Sequence, residues 1–501
     1  MSSTESRKRI AVIIPQNRVW GWHLKAISAL ERKYDVDIYS NSLAPPYPLL
    51  MRIWLLIERR LFGEIPIARS VVKSAKPWQQ IEGSNCLFVL NLSEAEIDSP
   101  TCPILEPRVG NRADSLGLIA ALVVGKNPFL SINLAGQEKP IVASYPAIPD
   151  KIVLLRGLQL AFARLVALVE RASDYLAKGL SAATQPDDAG SPATYSDVHF
   201  LLFIARFALD KVFGRMLRGV RYPETWFTAL LQADQWRIPN NGPIRNYQVL
   251  ADDGRRFYAD PFIFTNNRQK WLFVEELNYK TGKGVISCAR VSGPETCERP
   301  RPVLERPYHL SYPNVFRHAG EIYMIPESAD NRTVELYRAT SFPFQWELSK
   351  LLLQDVALYD ATLLQHKNRW WLFAAISHED GSAFDELAIY HSESLDGPWQ
   401  PHPLNPVKSD CRSSRPAGQI IVDGERILRP AQDCEHSYGD ALVWHEIDEL
   451  SLHGFSEHKV ARWSGIGTLR GDGLHTFNCE GDFAVVDIRR PMWKRPFAAW
   501  H

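Results

Sequence analysis

A seven-residue phrase, Tyr258-Ala-Asp-Pro-Phe-Ile-Phe264, constrains this chain more than any other feature, because it recurs in altered form four times. The copies are Tyr312-Pro-Asn-Val-Phe316, Tyr359-Asp-Ala-Thr-Leu-Leu364, Ser414-Arg-Pro-Ala-Gly-Gln-Ile420 and Leu474-His-Thr-Phe-Asn478. Counted from Asp260 through Pro313, Asp360 and Arg415 to His475, the steps are 53, 47, 55 and 60 residues. A second apolar phrase follows each first one: Trp271 to Glu276, Ile322 to Glu327, Trp371 to Ala375, Ile427 to Asp433 and Phe483 to Asp487. Short apolar strands repeating at a period near fifty predict a β-propeller, here of five blades. Five unrelated hairpins of a sandwich would not repeat both phrases in one order. In a propeller the first strands of all blades surround one axis. Asp260, Tyr312, Asp360, Arg415 and His475 are therefore expected at one mouth.

Turn chemistry supports the blades. Asn266-Asn267, Ala319-Gly320, Lys367-Asn368 and Asp423-Gly424 separate first from second strands as hairpin turns do. Trp399 is expected at a blade end, packed between neighbours.

The chain has 501 residues, which exceeds one typical core and predicts more than one domain. Lys plus Arg and Asp plus Glu number 57 each, so bulk charge gives no attraction for nucleic acid. The seven cysteines are scattered without CxxC spacing, so neither a disulfide framework nor a zinc site is expected. No motif implies a cofactor. Met1 to Arg9 enters a strand without a signal-peptide core, and no apolar run approaches the length of a membrane span. A cytoplasmic protein is the expectation, with membrane association as a second reading.

Before the repeats, Arg9 to Ile14, Trp22 to Lys33 and Val36 to Tyr39 read as the β-α-β opening of a Rossmann-type sheet. The loop from Pro15 to Gly21 is not GxGxxG, which disfavours a dinucleotide. Cys86 to Leu90, Phe129 to Leu134 and Ile141 to Ser144 read as further strands. Ser115 to Val124 and Ile152 to Ala172 read as helices. Leu49 to Phe62 and Val198 to Leu217 are apolar helices with interspersed charges. Each reads first as a packed helix and second as one touching a membrane surface. Thr184 to Thr194 reads as a linker. The expected domains are 1–182 (α/β), 183–235 (linker and connecting helices) and 236–492 (propeller).

Leu116-Gly-Leu-Ile119, Gly125-Lys-Asn127, Ser131-Ile-Asn-Leu134 and Val142-Ala-Ser-Tyr-Pro-Ala-Ile148 resemble the formyltransferase fold over roughly residues 8 to 180. That resemblance implies an Asn-x-His pair near Ile104 to Arg112. The chain has Ile104-Leu-Glu-Pro-Arg-Val-Gly110 there, without a histidine, so a degenerate, formyltransferase-like domain is expected.

In the repeats, Ala259-Asp-Pro-Phe-Ile263 and Tyr359-Asp-Ala-Thr-Leu363 resemble the first and third blade openings of five-bladed glycoside hydrolases. The resemblance implies Asp260 as base or nucleophile, Asp360 as supporting acid and His475 as a blade-five histidine. Ser414-Arg415-Pro416 stands where that group has its acid, and an arginine does not donate a proton at neutral pH. Glu276 and Glu327, closing second phrases, could supply one. Arg415 would instead grip an anion. YADPFIF, FVEE, SYPNVF, IPES, YDATLL, SRPAGQI and Arg429-Pro-Ala-Gln-Asp433 are similar to the N-terminal domain of plant glucosamine inositolphosphorylceramide transferases and of bacterial proteins sharing it, over about residues 235 to 490.

The expected function is carbohydrate-active: glycosyl transfer or glycoside cleavage on a sugar nucleotide, glycosyl phosphate or glycolipid. Asp260, Asp360, Glu276 and Glu327 are the candidate catalytic residues. Tyr312, Asn314, Arg415, Arg429, Asp433 and His475 are the candidates for holding a sugar or sugar phosphate. The alternative is a non-catalytic glycan-binding propeller beside an inactive formyltransferase-like domain.

Overall fold

Strands alternating with helices up to Phe213, and a mainly β region after it, divide the computed structural model into two units on either side of Phe213 and Gly214, apart from a short segment at 379–382. The structure describes residues 7–41, 44, 46–63, 75–77, 86–97, 102–110, 112, 114–179, 193–214, 225–232, 247–293, 296–377, 381–464, 473–481 and 483–489. Most of the expected linker, and Trp236, lie outside them.

The N-terminal unit is built on a seven-stranded sheet. In spatial order its strands are Lys76–Pro77, Asp35–Asn41, Arg9–Pro15, Val89–Asn91, Ile104–Val109, Leu130–Leu134 and Pro140–Ser144. The first five run parallel and the last two antiparallel. Ile10 through Pro15 are all buried, as befits a central strand covered on both faces. Helix Leu154–Lys178 contacts helix Gly21–Glu31 and the last two strands, and a left-handed Gly179 ends it. Cys86 and Cys102 form a disulfide with Cα atoms 6.3 Å apart, contrary to the expectation of no disulfide. Adjacent parallel strands begin just after each cysteine, a proximity their 16-residue spacing does not announce.

The C-terminal unit contains five antiparallel sheets, the blades of a propeller. Their first strands are Arg256–Asn266, Ser311–His318, Leu358–His366, Ile421–Asp423 and Phe477–Glu480. The fifth blade closes the ring. Phe477–Glu480 pairs with Phe483–Arg489, which pairs with Trp226–Gln232 from before the first blade, and that strand pairs in turn with Tyr247–Val249. Trp226, which precedes the first blade in the chain, thus belongs to the last. Tight turns join the strands, with left-handed residues at Ala319-Gly320 and Lys367-Asn368 as expected, and at Asn267-Arg268, one residue past the expected pair.

Apolar layers lie between blades. Phe262, Phe273, Tyr312 and Met324 fill the first interface, and Ile325, Leu336, Leu358 and Leu372 the second. Leu428, Trp444, Phe477 and Val486 join the fourth and fifth, and Leu230, Ile263, Leu272 and Val485 join the fifth to the first. Trp399 is buried in the second interface, its indole N–H donating to Leu395 O at 3.1 Å. Each such large apolar side chain contributes about 1.5–3 kcal/mol when fully buried.

The interface of blades three and four carries a buried ionic knot. Lys408 Nζ lies 2.7 Å from Glu457 Oε1, and Arg429 holds both Glu457 oxygens through Nε at 2.8 Å and Nη2 at 2.6 Å. Arg429 Nη2 also donates to Ser413 O. Arg429 is therefore committed to holding blades together, not to the mouth where it was expected.

Candidate active site

Three blades enter the axis through the same local device. In the first strands the pairing register slips between Ala259 and Phe262, between Ser311 and Asn314, and between Tyr359 and Thr362. Asp260, Tyr312 and Asp360 sit in these bulges with φ of 48°, 45° and 55°. Left-handed backbone at non-glycine residues costs on the order of 1–3 kcal/mol and persists where surroundings enforce it. Each bulge re-aims one side chain out of the pleat. That is how the chain turns a recurring phrase into a ring of central groups.

The ring is cross-linked from blade to blade. The Gly418 N–H donates to Tyr312 Oη at 2.6 Å, and the Tyr312 hydroxyl meets Thr362 Oγ1 at 2.8 Å. Asn314 Nδ2 donates to Ala361 O, and Asn478 Nδ2 donates to Pro261 O at 2.7 Å. Tyr312 and Asn314, expected to hold substrate, are buried and make these links between blades.

Asp260 stands between the first and fifth blades. Its Oδ1 accepts from Thr476 Oγ1 at 2.7 Å and lies 3.5 Å from His475 Nε2. On its other side His475 Nδ1 lies 2.5 Å from Asp487 Oδ2. Asp487 also accepts the backbone N–H groups of His475, Thr476 and Asp260. Trp226 stacks on the imidazole at 3.8 Å, with Tyr438 edge-on at 5.1 Å. Gly439 makes room, since a Cβ there would meet His475 Cβ and Trp226 at 2.7 Å.

Burial, against the attraction of His475 and with repulsion from Asp360, Asp487 and Glu275, raises the Asp260 carboxyl to about 7. Burial opposes the charge on His475, yet Asp487 and Asp260 together lift it to about 9. The imidazole thus lies between the carboxyl groups of Asp260 and Asp487, which favour its charged form.

Arg415 reaches Asp360 with Nε to Oδ2 at 2.5 Å and Nη2 to Oδ1 at 3.1 Å. Its guanidinium also lies 5.0–5.4 Å from the ring centres of Tyr438, Phe384 and Tyr359. Gln432 Nε2 donates to Asp360 Oδ2 at 2.8 Å. Glu327 accepts the Asp360 N–H and lies 3.6 Å from Arg415 Nη2. Burial, then the neighbouring Asp360, push the Glu327 carboxyl well above the usual range despite Arg415. Its neutral form is thus favoured over that of an ordinary carboxyl.

Of the residues expected at the mouth, Asp260, Asp360, Glu327, Arg415 and His475 converge. Glu276 does not: it pairs with Arg256 and accepts from Ser287 Oγ at 2.7 Å. Glu275 takes its place, opposite Ala259 as Glu327 is opposite Ser311, and contacts His309 Nε2 at 3.2 Å. Asp433 likewise turns away to Arg462, and its neighbour Gln432 faces Asp360. Asp487, Gln432, Glu275 and Trp226 were not singled out from the sequence. The period of two along the second strands is the signal that would have found the first three.

Ligand atoms of Asp260, His475 and Asp487 lie within 4.8 Å of one another, close enough to hold a cation. His475 is raised to about 9, and a charged imidazole would disfavour a cation there.

The N-terminal unit has its own small cleft at the carboxyl ends of its parallel strands, lined by Trp22, His23, Asn91, Glu94, Arg108 and Ser115 among others. Burial and Arg18 press His23 down to about 3, so its imidazole is neutral.

Fold and site together define a five-bladed propeller with a cluster of buried ionisable side chains at its axis. Residues 231–466 match the family model described as glucosamine inositolphosphorylceramide transferase 1, N-terminal. Over 231 residues the chain is 37% identical to glucosamine inositolphosphorylceramide transferase 1 of Oryza sativa subsp. japonica, covering 45% of this chain and 31% of the relative. The Arabidopsis thaliana protein of the same name is 34% identical over 235 residues, 46% of this chain and 30% of its own. The chain thus spans about a third of the length of these plant relatives. Among solved structures, a family 117 glycoside hydrolase of Zobellia galactanivorans matches 53% of this chain and 90% of its own at 14% identity and a TM-score of 0.35. An exo-beta-1,3-galactanase from Clostridium thermocellum matches 50% of this chain and 64% of its own, at 14% identity and a TM-score of 0.34.

Proposed function

We propose that the propeller is a carbohydrate-active enzyme that performs acid–base chemistry on a sugar carried by a nucleotide, phosphate or lipid, by glycosyl transfer or glycoside cleavage. The observation that carries this reading is the pair of differently tuned carboxyls on one axis. Asp260 is raised to about 7 beside His475, and burial and Asp360 push Glu327 well above the usual carboxylate range. A base and an acid set apart by environment are what cleavage or transfer of a glycosyl group uses. Asp260 would accept the proton of the attacking hydroxyl, and Glu327 would protonate the departing oxygen. Asp360 and Arg415 would fix the geometry between them. The plant relatives' name, a transferase acting on an inositolphosphorylceramide, supports a glycosylated or glycosyl-accepting lipid as substrate.

A second reading rests on a specific observation. Asp260, Asp360, Arg415 and His475 are each exposed by 7% or less, which suits a propeller that binds glycans at its rim and uses its centre for stability. On this reading the N-terminal unit would be a formyltransferase-like domain without formyl transfer, since no histidine lies in Ile104 to Gly110. Incubating the purified chain with sugar nucleotides and glycolipids, with mass detection, separates the readings. Turnover that is lost in Asp260→Asn and Glu327→Gln, with folding retained, is the expected result. No turnover on any donor, with glycan binding unchanged in both variants, would leave the binding reading standing.

A further inference from the structure

Fourteen large apolar side chains stand exposed among the described residues, and eleven of them lie on two helical segments of the N-terminal unit. Helix Leu49–Phe62 exposes Leu49, Ile53, Leu56, Ile57 and Leu61, between 41% and 69%. Helix Asp197–Leu209 and the π turn that continues it to Gly214 expose Val198, Leu201, Leu202, Leu209, Val212 and Phe213, between 53% and 67%.

The two helices are neighbours. Trp54 meets Phe203 and Phe207 edge-on at 6.3 and 5.1 Å, and Phe62 meets Phe207 at 6.1 Å. Each has a narrow buried stripe: Met51, Trp54 and Glu58 on one, Phe200, Phe203 and Phe207 on the other. Glu58 is fixed inward by the Trp54 indole and the N–H groups of Leu154 and Leu155. The buried stripes already anchor both helices, so the apolar residues on the remaining sides add nothing to folding. Scattered exposed leucines are ordinary; this concentration is not.

The charges at this surface are mostly cationic. Arg52, Arg59, Arg60, Arg206 and Lys211 are exposed on the two segments, against Asp197 and the half-buried Asp210. Arg and Lys can lay their stems along an apolar surface and lift their charge to its polar boundary. No described helix is long and apolar enough to cross a membrane. Exposed aliphatic residues interspersed with arginines, on helices too short to span, match an interfacial helix that lies in the headgroup region.

We propose that these two helices form a membrane-docking surface selective for anionic lipid. The apolar residues would enter the headgroup–acyl boundary, and the arginines and Lys211 would pair with lipid phosphates. The inference stands on the N-terminal unit alone and does not depend on the reaction assigned to the propeller.

Flotation of the full chain with lipid vesicles tests it. Binding is expected about tenfold tighter to vesicles containing phosphatidylglycerol than to phosphatidylcholine alone, and weaker in high salt. Leu56→Glu with Ile57→Glu, and separately Leu201→Glu with Leu202→Glu, should abolish flotation while circular dichroism stays unchanged, because all four side chains are exposed. Arg59→Gln with Arg60→Gln should remove the anionic preference and leave weak binding to both vesicles. No flotation of the native chain, or flotation unaffected by the four leucine and isoleucine changes, would overturn the proposal. So would a dimer that these changes split into monomers, since the surface would then be an interface between copies.

Discussion

Arg415 holds both oxygens of Asp360, Nε on Oδ2 at 2.5 Å and Nη2 on Oδ1 at 3.1 Å, across the boundary of two propeller blades. The arginine that the sequence offers as an anion grip thus already has its anion, supplied from within the chain. Removing one partner of a buried pair strands the other charge and costs about 3–5 kcal/mol. Arg415→Ala should lower stability by that order in denaturant melts. Adding Asp360→Asn should recover part of the loss, and a double-mutant cycle measures the coupling.

The pair at Asp260 and His475 makes stability depend on pH. The folded state holds His475 near 9, above its ordinary value of 6.5, so its contribution is complete below pH 6.5 and fades as pH rises through 9. A shift of that size corresponds to about 3 kcal/mol. Asp260 is raised from 3.8 to about 7, so ionising it in the fold costs stability progressively between those values. Thermal melts should therefore fall from pH 6.5 to 9, and His475→Gln should flatten that window.

Parity along the second strand of blade one predicts opposite outcomes for adjacent acids. Glu275 repels the Asp260 charge, whereas Glu276 is tied to Arg256 and Ser287. Glu275→Gln should lower the Asp260 titration midpoint, read by carboxyl-carbon NMR. Glu276→Gln should leave that midpoint in place and reduce stability by about 1–3 kcal/mol.

Tyr312 is fully buried, and its hydroxyl joins blades two, three and four. Tyr312→Phe strands the Gly418 amide and should cost about 1–3 kcal/mol in denaturant melts without altering ligand affinity. A loss of affinity at unchanged stability would place the hydroxyl in contact with ligand.

At Gly418, φ is 122° and a Cβ would lie 1.9 Å from Phe477 O, so Gly418→Ala should prevent the fourth and fifth blades from meeting. Gly424 has φ 63° in open space, and Gly424→Ala should cost only about 1 kcal/mol. Comparing soluble yield and melting of the two variants checks this.

The recurrence of one phrase at a step near fifty residues was enough to give the propeller, because every blade must solve the same packing problem with the same local pattern. It also marked Asp260, Tyr312, Asp360, Arg415 and His475, since each opens its copy. The helix and strand periods before Phe213 were likewise legible, being set by local burial. What each central group touches was not. Whether Glu275 or Glu276, and Gln432 or Asp433, faces the axis depends on pleat parity after a bulge, and a one-residue slip reverses it. That Trp226 completes the fifth blade, that Asp487 backs His475 and that Cys86 meets Cys102 depend on strands brought side by side by the fold. Sequence records local preference; which groups desolvate together, and so which carboxyl keeps its proton, is decided only when distant strands share one axis.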